Sequence, residues 1–193
     1  MLLLKKYTLS TCYEAKQAKS YFLRLMSFSL IVLLVFLIGC QQKRVAPTRN
    51  LPSAPAPEFT LQDFSGNDLS SASLKGQIVV IIFWTTWSPG STKDIPEFIA
   101  LHTKYQDKVR FIGIALGEAT SEDAKKMVAQ LAVNYPTAMA PAEFYQNFGG
   151  IDAIPSTFVI DSQWNIVNRY TGRVRIDELS AELDYMLNPP KPQ

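Results

Sequence analysis

The stretch that most constrains this chain is the unbroken apolar run Ile78–Trp84, IVVIIFW, which passes at once into Thr85-Thr86-Trp87-Ser88-Pro89-Gly90-Ser91. A run with no polar position leaves no face for water. It predicts a central strand with Val79, Ile81 and Phe83 on one side and Val80, Ile82 and Trp84 on the other, so layers must cover both faces. Downstream, Ile95, Phe98, Ile99, His102 and Tyr105 recur at three- and four-residue spacing and predict a helix over 89–105, with Pro96 inside it as a kink. Ser88 suits the N-cap of that helix. Pro89 suits its first position, because the N–H that proline lacks would be unpaired there anyway.

The rest of the chain alternates in the same way. A short strand is predicted at 59–61, a turn around Gly66, a second buried strand at Val109–Leu116 and an amphipathic helix over 120–133. A short strand at 135–139 and a short helix at 143–148 follow, the latter ended by Gly149-Gly150. Paired strands at 154–161 and 164–170 and a final helix at 177–187 complete the pattern. This order predicts a single α/β domain with a central mixed β-sheet flanked by helices on both faces.

The N-terminus has a different character. Lys5, Lys6, Lys16, Lys19 and Arg24 oppose only Glu14, and the apolar stretch 26–38 that follows is shorter than the ~20 residues a spanning helix needs. It ends in Leu37-Ile38-Gly39-Cys40, which resembles a bacterial lipoprotein signal box. That resemblance implies a signal peptide over 1–39, a lipid on Cys40 and a domain tethered on the extracytoplasmic side of a bacterial envelope membrane. A cleaved ordinary signal and an uncleaved anchor over 21–40 are the alternatives, and Met26 is an alternative start. Residues 40–58 carry Pro47, Pro52, Pro55 and Pro57 and predict an extended tether, which places the domain at 59–188 and a tail at 189–193.

Of the two cysteines, Cys12 lies in the presequence and Cys40 is the lipid site, so the folded domain has none and no disulfide is available to it. The totals are 19 basic and 17 acidic residues; without the five basic residues and the one acid of the presequence the net charge is −2. That balance offers nucleic acid no electrostatic footprint.

Phe83-Trp84-Thr85-Thr86-Trp87-Ser88-Pro89-Gly90-Ser91 resembles the FWATWCPPC of TlpA/ResA-type thioredoxin-fold proteins, membrane-tethered extracytoplasmic thiol-disulfide oxidoreductases. Pro96 stands five residues beyond the second active-site position, as in thioredoxins generally. Ile154-Pro155-Ser156-Thr157-Phe158 resembles the family's cis-proline segment, and the stretch from Ile160-Asp161 to Gly172 resembles its terminal hairpin. The resemblance implies a thioredoxin fold with a shallow groove for polypeptides, formed by Trp87, Pro89, Gly90, Ile154 and Pro155.

The departure is at the chemistry. Disulfide exchange needs a thiolate, which a helix N-terminus helps to form; a serine hydroxyl stays protonated and forms no disulfide. Ser88 and Ser91 occupy the two cysteine positions, and Ile82 stands where thioredoxins usually carry a buried acid. The chain is therefore expected to have lost exchange catalysis and to act as a protein-binding or chaperone-like module for an extracytoplasmic partner. The alternative is a component of a thiol-disulfide or cytochrome-maturation system that relies on a partner's cysteines.

Other chemistries find no support. The single histidine, His102, lies roughly 21 Å along the helix axis from Ser88 at ~1.5 Å per residue, too far to activate it. Asp94, one turn from Ser91, is expected to be solvated. Without cysteines and with one histidine, neither a metal site nor a cofactor is expected.

Overall fold

The computed structural model describes residues 53–117, 121–150 and 152–189. The expected signal peptide, the expected lipid site Cys40 and most of the expected tether lie outside the described residues.

A mixed six-stranded sheet in the order β1-β8-β7-β4-β5-β6 forms the centre. Its strands are β1 (Ala54–Pro55), β4 (Ile78–Trp84), β5 (Val109–Leu116), β6 (Thr137–Ala140), β7 (Ser156–Ile160) and β8 (Asn165–Thr171). β4, β5 and β6 run parallel, whereas β7 and β8 run antiparallel to their neighbours. A two-stranded hairpin, β2 (Thr60–Gln62) with β3 (Asp68–Ser70), stands beside it, followed by the short helix α1 (Ser71–Leu74). Among the described residues three longer helices follow: α2 (Pro89–Tyr105), α3 (Ser121–Gln130) and α4 (Ile176–Leu187).

The alternation read in β4 is realised. Val79, Ile81 and Phe83 join Ile114, Phe158 and Ile160 in one buried cluster, closed by Phe59, Leu74 and Phe148 from the hairpin side and from the 3-10 segment Ala142–Phe148. Val80 and Ile82 join Val159 and Phe98 of α2 with Leu179 and Leu183 of α4 on the opposite face. Trp84, fully buried as core, meets Ile95 of α2 and Ala124 of α3. The strand thus ends with both faces sealed, and its last residue delivers the chain to the turn.

Three local expectations are modified. The short helix expected at 143–148 forms, starting one residue earlier and in the 3-10 form, Ala142–Phe148. The helix predicted over 120–133 is Ser121–Gln130, and Ala132 follows at φ 51. The folded body also begins before Phe59: Ala54 and Pro55 pair with Ile166 and Asn165, and Ala56 is buried with its N–H donated to the Trp164 carbonyl. A proline is tolerated there because β1 is an edge strand. Among the described residues no helix is long and apolar enough to cross a membrane.

Candidate functional site

The site forms where β4 runs out and α2 begins. Ser88 has extended backbone angles, φ −85 and ψ 115, and its Oγ accepts the N–H of Ser91 at 3.4 Å. Its carbonyl takes the N–H of Thr92, the first bond of the helix, at 3.3 Å. Ser91 is 1% exposed, and its Oγ accepts the N–H of Thr85 at 3.4 Å, tying the helix start back to the strand end. Both hydroxyls serve as structural acceptors.

A second segment approaches from the far side of the sequence. The Ile154–Pro155 peptide is cis, and Ser88 Oγ donates to the Ile154 carbonyl at 3.2 Å. One residue back, the Ala153 carbonyl accepts Ser156 Oγ at 2.7 Å. The turn and the loop are so close that a Cβ on Gly90 would lie 2.9 Å from Pro155 Cδ and 3.4 Å from Arg173 Cγ. Only glycine fits that approach without displacing a proline ring. Arg169 of β8 stacks over Phe158 and bonds Asp152 Oδ2 at 3.3 Å, tying the segment before the cis-proline to the sheet.

Trp87 is 69% exposed, the one large hydrophobic side chain in the open among the described residues. Ser88, its neighbour, is only 5% exposed. The exposed surface here is the indole and Pro89, flanked by half-buried Gly90 and Ile154, while Ser88 and Pro155 are buried beneath it.

Asp94 corrects the expectation of a solvated carboxylate. It is 1% exposed, and Oδ1 accepts from Arg173 Nε, while Arg173 Nη2 lies 3.7 Å from Glu97 Oε1. Asp94 Oδ2 is buried with no hydrogen-bond partner among the described residues. The hydrogen bond to Asp94, and then its charge, push the Arg173 guanidinium further above its ordinary pKa. Arg173 follows Gly172, whose φ of +78 turns the chain back over α2. Sequence reasoning missed Arg173, because its partner on α2 is 79 positions away.

The remaining residues fall where their chemistry suggests. Ile82 is buried beneath the turn and can carry no proton. His102 is half-buried, edge-on to Phe111 and Tyr135 at 5.8 and 6.0 Å, as a packing residue would be. No group of three or more His, Cys, Asp or Glu side chains suited to a metal occurs among the described residues. The arrangement offers hydrophobic contact and hydrogen bonds but no thiolate.

A strand-turn-helix facing a cis-proline loop on a mixed sheet defines a thioredoxin-fold protein. The comparison with known families agrees: residues 52–169 match the AhpC/TSA family, and the chain belongs to it. It is similar to "Thiol-disulfide oxidoreductase ResA" of Bacillus thuringiensis (strain Al Hakam), 29% identical over 129 residues, covering 66% of this chain and 74% of that protein. "Thioredoxin-like protein YneN" of Bacillus subtilis (strain 168) is 26% identical over 133 residues, covering 67% of this chain and 76% of that one. Among solved structures, a thiol:disulfide interchange protein of the thioredoxin family from Chlorobium tepidum TLS superposes with a TM-score of 0.65 at 29% identity, covering 72% of this chain and 99% of the other. The chain is thus a thioredoxin-like member of the thiol-disulfide oxidoreductase group, with serines at Ser88 and Ser91.

Proposed function

We propose that this chain is a lipid-anchored, extracytoplasmic thioredoxin-like module that binds polypeptides at its groove without exchanging disulfides. The observation that carries the reading is the pair Ser88 and Ser91, both buried and both accepting backbone N–H groups at the positions where the family's reaction needs sulfur. Exposed Trp87 beside this intact frame supports retention of the binding surface. Trp, with Tyr and Arg, is enriched among the few residues that carry most of the energy of protein-protein contacts.

The test is reduction of insulin disulfides by the full chain in detergent with dithiothreitol as electron source. The expected rate equals that of dithiothreitol alone. Turnover at the rate of a CxxC relative would sink the reading. The double substitution Ser88→Cys and Ser91→Cys is expected to gain turnover, since the surrounding frame is kept.

The anchor rests on Leu37-Ile38-Gly39-Cys40 after a basic and then apolar leader. Mass spectrometry of the mature protein from its native envelope is expected to find Cys40 as a lipid-bearing first residue. An unlipidated N-terminus elsewhere would remove this part of the proposal.

A further inference from the structure

We infer that Ser88 is a positioning residue that clasps the groove: its hydroxyl joins the start of α2 to the cis-proline loop, a role separate from capping the helix. One oxygen performs both tasks. As acceptor it takes the Ser91 N–H at 3.4 Å, and as donor it gives its proton to the Ile154 carbonyl at 3.2 Å, across 66 positions of sequence. A hydroxyl can do both at once because it carries one donor and two acceptor lone pairs, whereas a thiol is a weak partner in either direction. Ser88 is 5% exposed, so water competes poorly for these bonds.

The neighbourhood is built for closeness. Gly90 leaves no side chain between turn and loop, with Pro155 Cδ 2.9 Å from where a Cβ would stand. The loop's two carbonyls nearest the proline, Ala153 and Ile154, are each met by a serine hydroxyl, from Ser156 and Ser88. A polypeptide donor that reaches the Ile154 carbonyl finds one of its two lone pairs already engaged by the clasp. The serine at the first active-site position holds the groove in one geometry.

Amide hydrogen exchange on the full chain in detergent separates clasp from cap. Ser88→Asp keeps an N-cap acceptor for Ser91 but has no proton to give the Ile154 carbonyl. Its expected result is wild-type protection at 91–93 and exchange about fivefold faster across 152–158, the change one neutral hydrogen bond supports. Ser88→Ala is expected to speed both segments, and Ser88→Thr, which restores donor and acceptor, to return both to the wild-type rate. Wild-type exchange across 152–158 in Ser88→Asp overturns the clasp. Should that variant fail to fold, Ser88→Ala decides: acceleration confined to 91–93 also overturns it. The measurement is made on the free protein, so its outcome is independent of whether the groove binds polypeptides.

Discussion

The face of the sheet beneath Phe83 is closed by aromatic rings, whereas the face beneath Ile82 buries two carboxylates, Asp94 and Glu182. On the first, Phe83 meets Phe144, Phe148 and Phe158 with ring centroids 6.3, 5.1 and 5.5 Å apart, and Phe59 extends the group to Trp164. Edge-to-face contacts of this type add to area burial. On the second, Glu182 Oε2 accepts from Asn168 Nδ2 at 3.0 Å and from Tyr170 OH at 2.8 Å, neutral donors from β8. Burial, and then the bond to Glu182, push the Tyr170 phenol above its ordinary pKa. Asp94 instead draws on the half-exposed Arg173 beside the candidate site. The contrast separates an aromatic cluster from a more polar face, apolar at Val80, Ile82 and Phe98 but enclosing two carboxylates, of which Asp94 reaches the candidate site.

The sharpest way to break this contrast is to truncate one member of each face and compare urea denaturation. Phe83→Ala removes a fully buried ring at the centre of the aromatic group and is expected to cost about 3–5 kcal/mol. Glu182→Ala strands the buried Asn168 amide and the half-buried Tyr170 hydroxyl and is expected to cost on the order of 2 kcal/mol. Equal costs, or a larger one at Glu182, would mean that the polar face carries the stability. Where the turn meets the cis-proline loop, Gly90→Ala is expected to cost about 1–3 kcal/mol, because the obstacle is a proline ring rather than the end of a flexible chain.

How much of this was legible in the sequence depended on how far each signal reached along the chain. The strand Ile78–Trp84, the helix beginning at Pro89 and the cap at Ser88 are written in contiguous residues, and each forms as read. Trp87 stands exposed while Trp84 is core, in line with their places after and within the apolar run. What was not legible depends on partners distant in sequence. Asp94 reads as a surface residue until Arg173 arrives beside it, and β1 exists only because β8 offers an edge to a proline-containing segment. The bond from Ser88 to Ile154 belongs to the same class. The 3-10 form of 142–148 reflects a segment too short for its apolar spacing to separate the two helix types.

The smallest expected effect sharpens the contrast from outside both faces, at Asp63, a carboxylate that serves a turn. Its Oδ1 accepts the N–H groups of Ser65 at 2.9 Å and Asn67 at 2.8 Å, holding the β2–β3 hairpin closed. Burial alone would raise its pKa, but the bonds from Asn67, Ser65 and Gly66 outweigh it and hold the carboxyl below its ordinary value. A lowered folded pKa means that the ionised form stabilises the fold. That contribution is present above the unfolded value of about 4 and is lost as pH falls through the folded one. Asp63→Asn keeps an acceptor without the charge, so its urea midpoint is expected to lie slightly below wild type at pH 7 and to converge with it at pH 3. A gap that persists or widens in acid would show that the turn depends on shape rather than charge. Asp63 would then behave as the buried Glu182 is expected to, through the donors it satisfies.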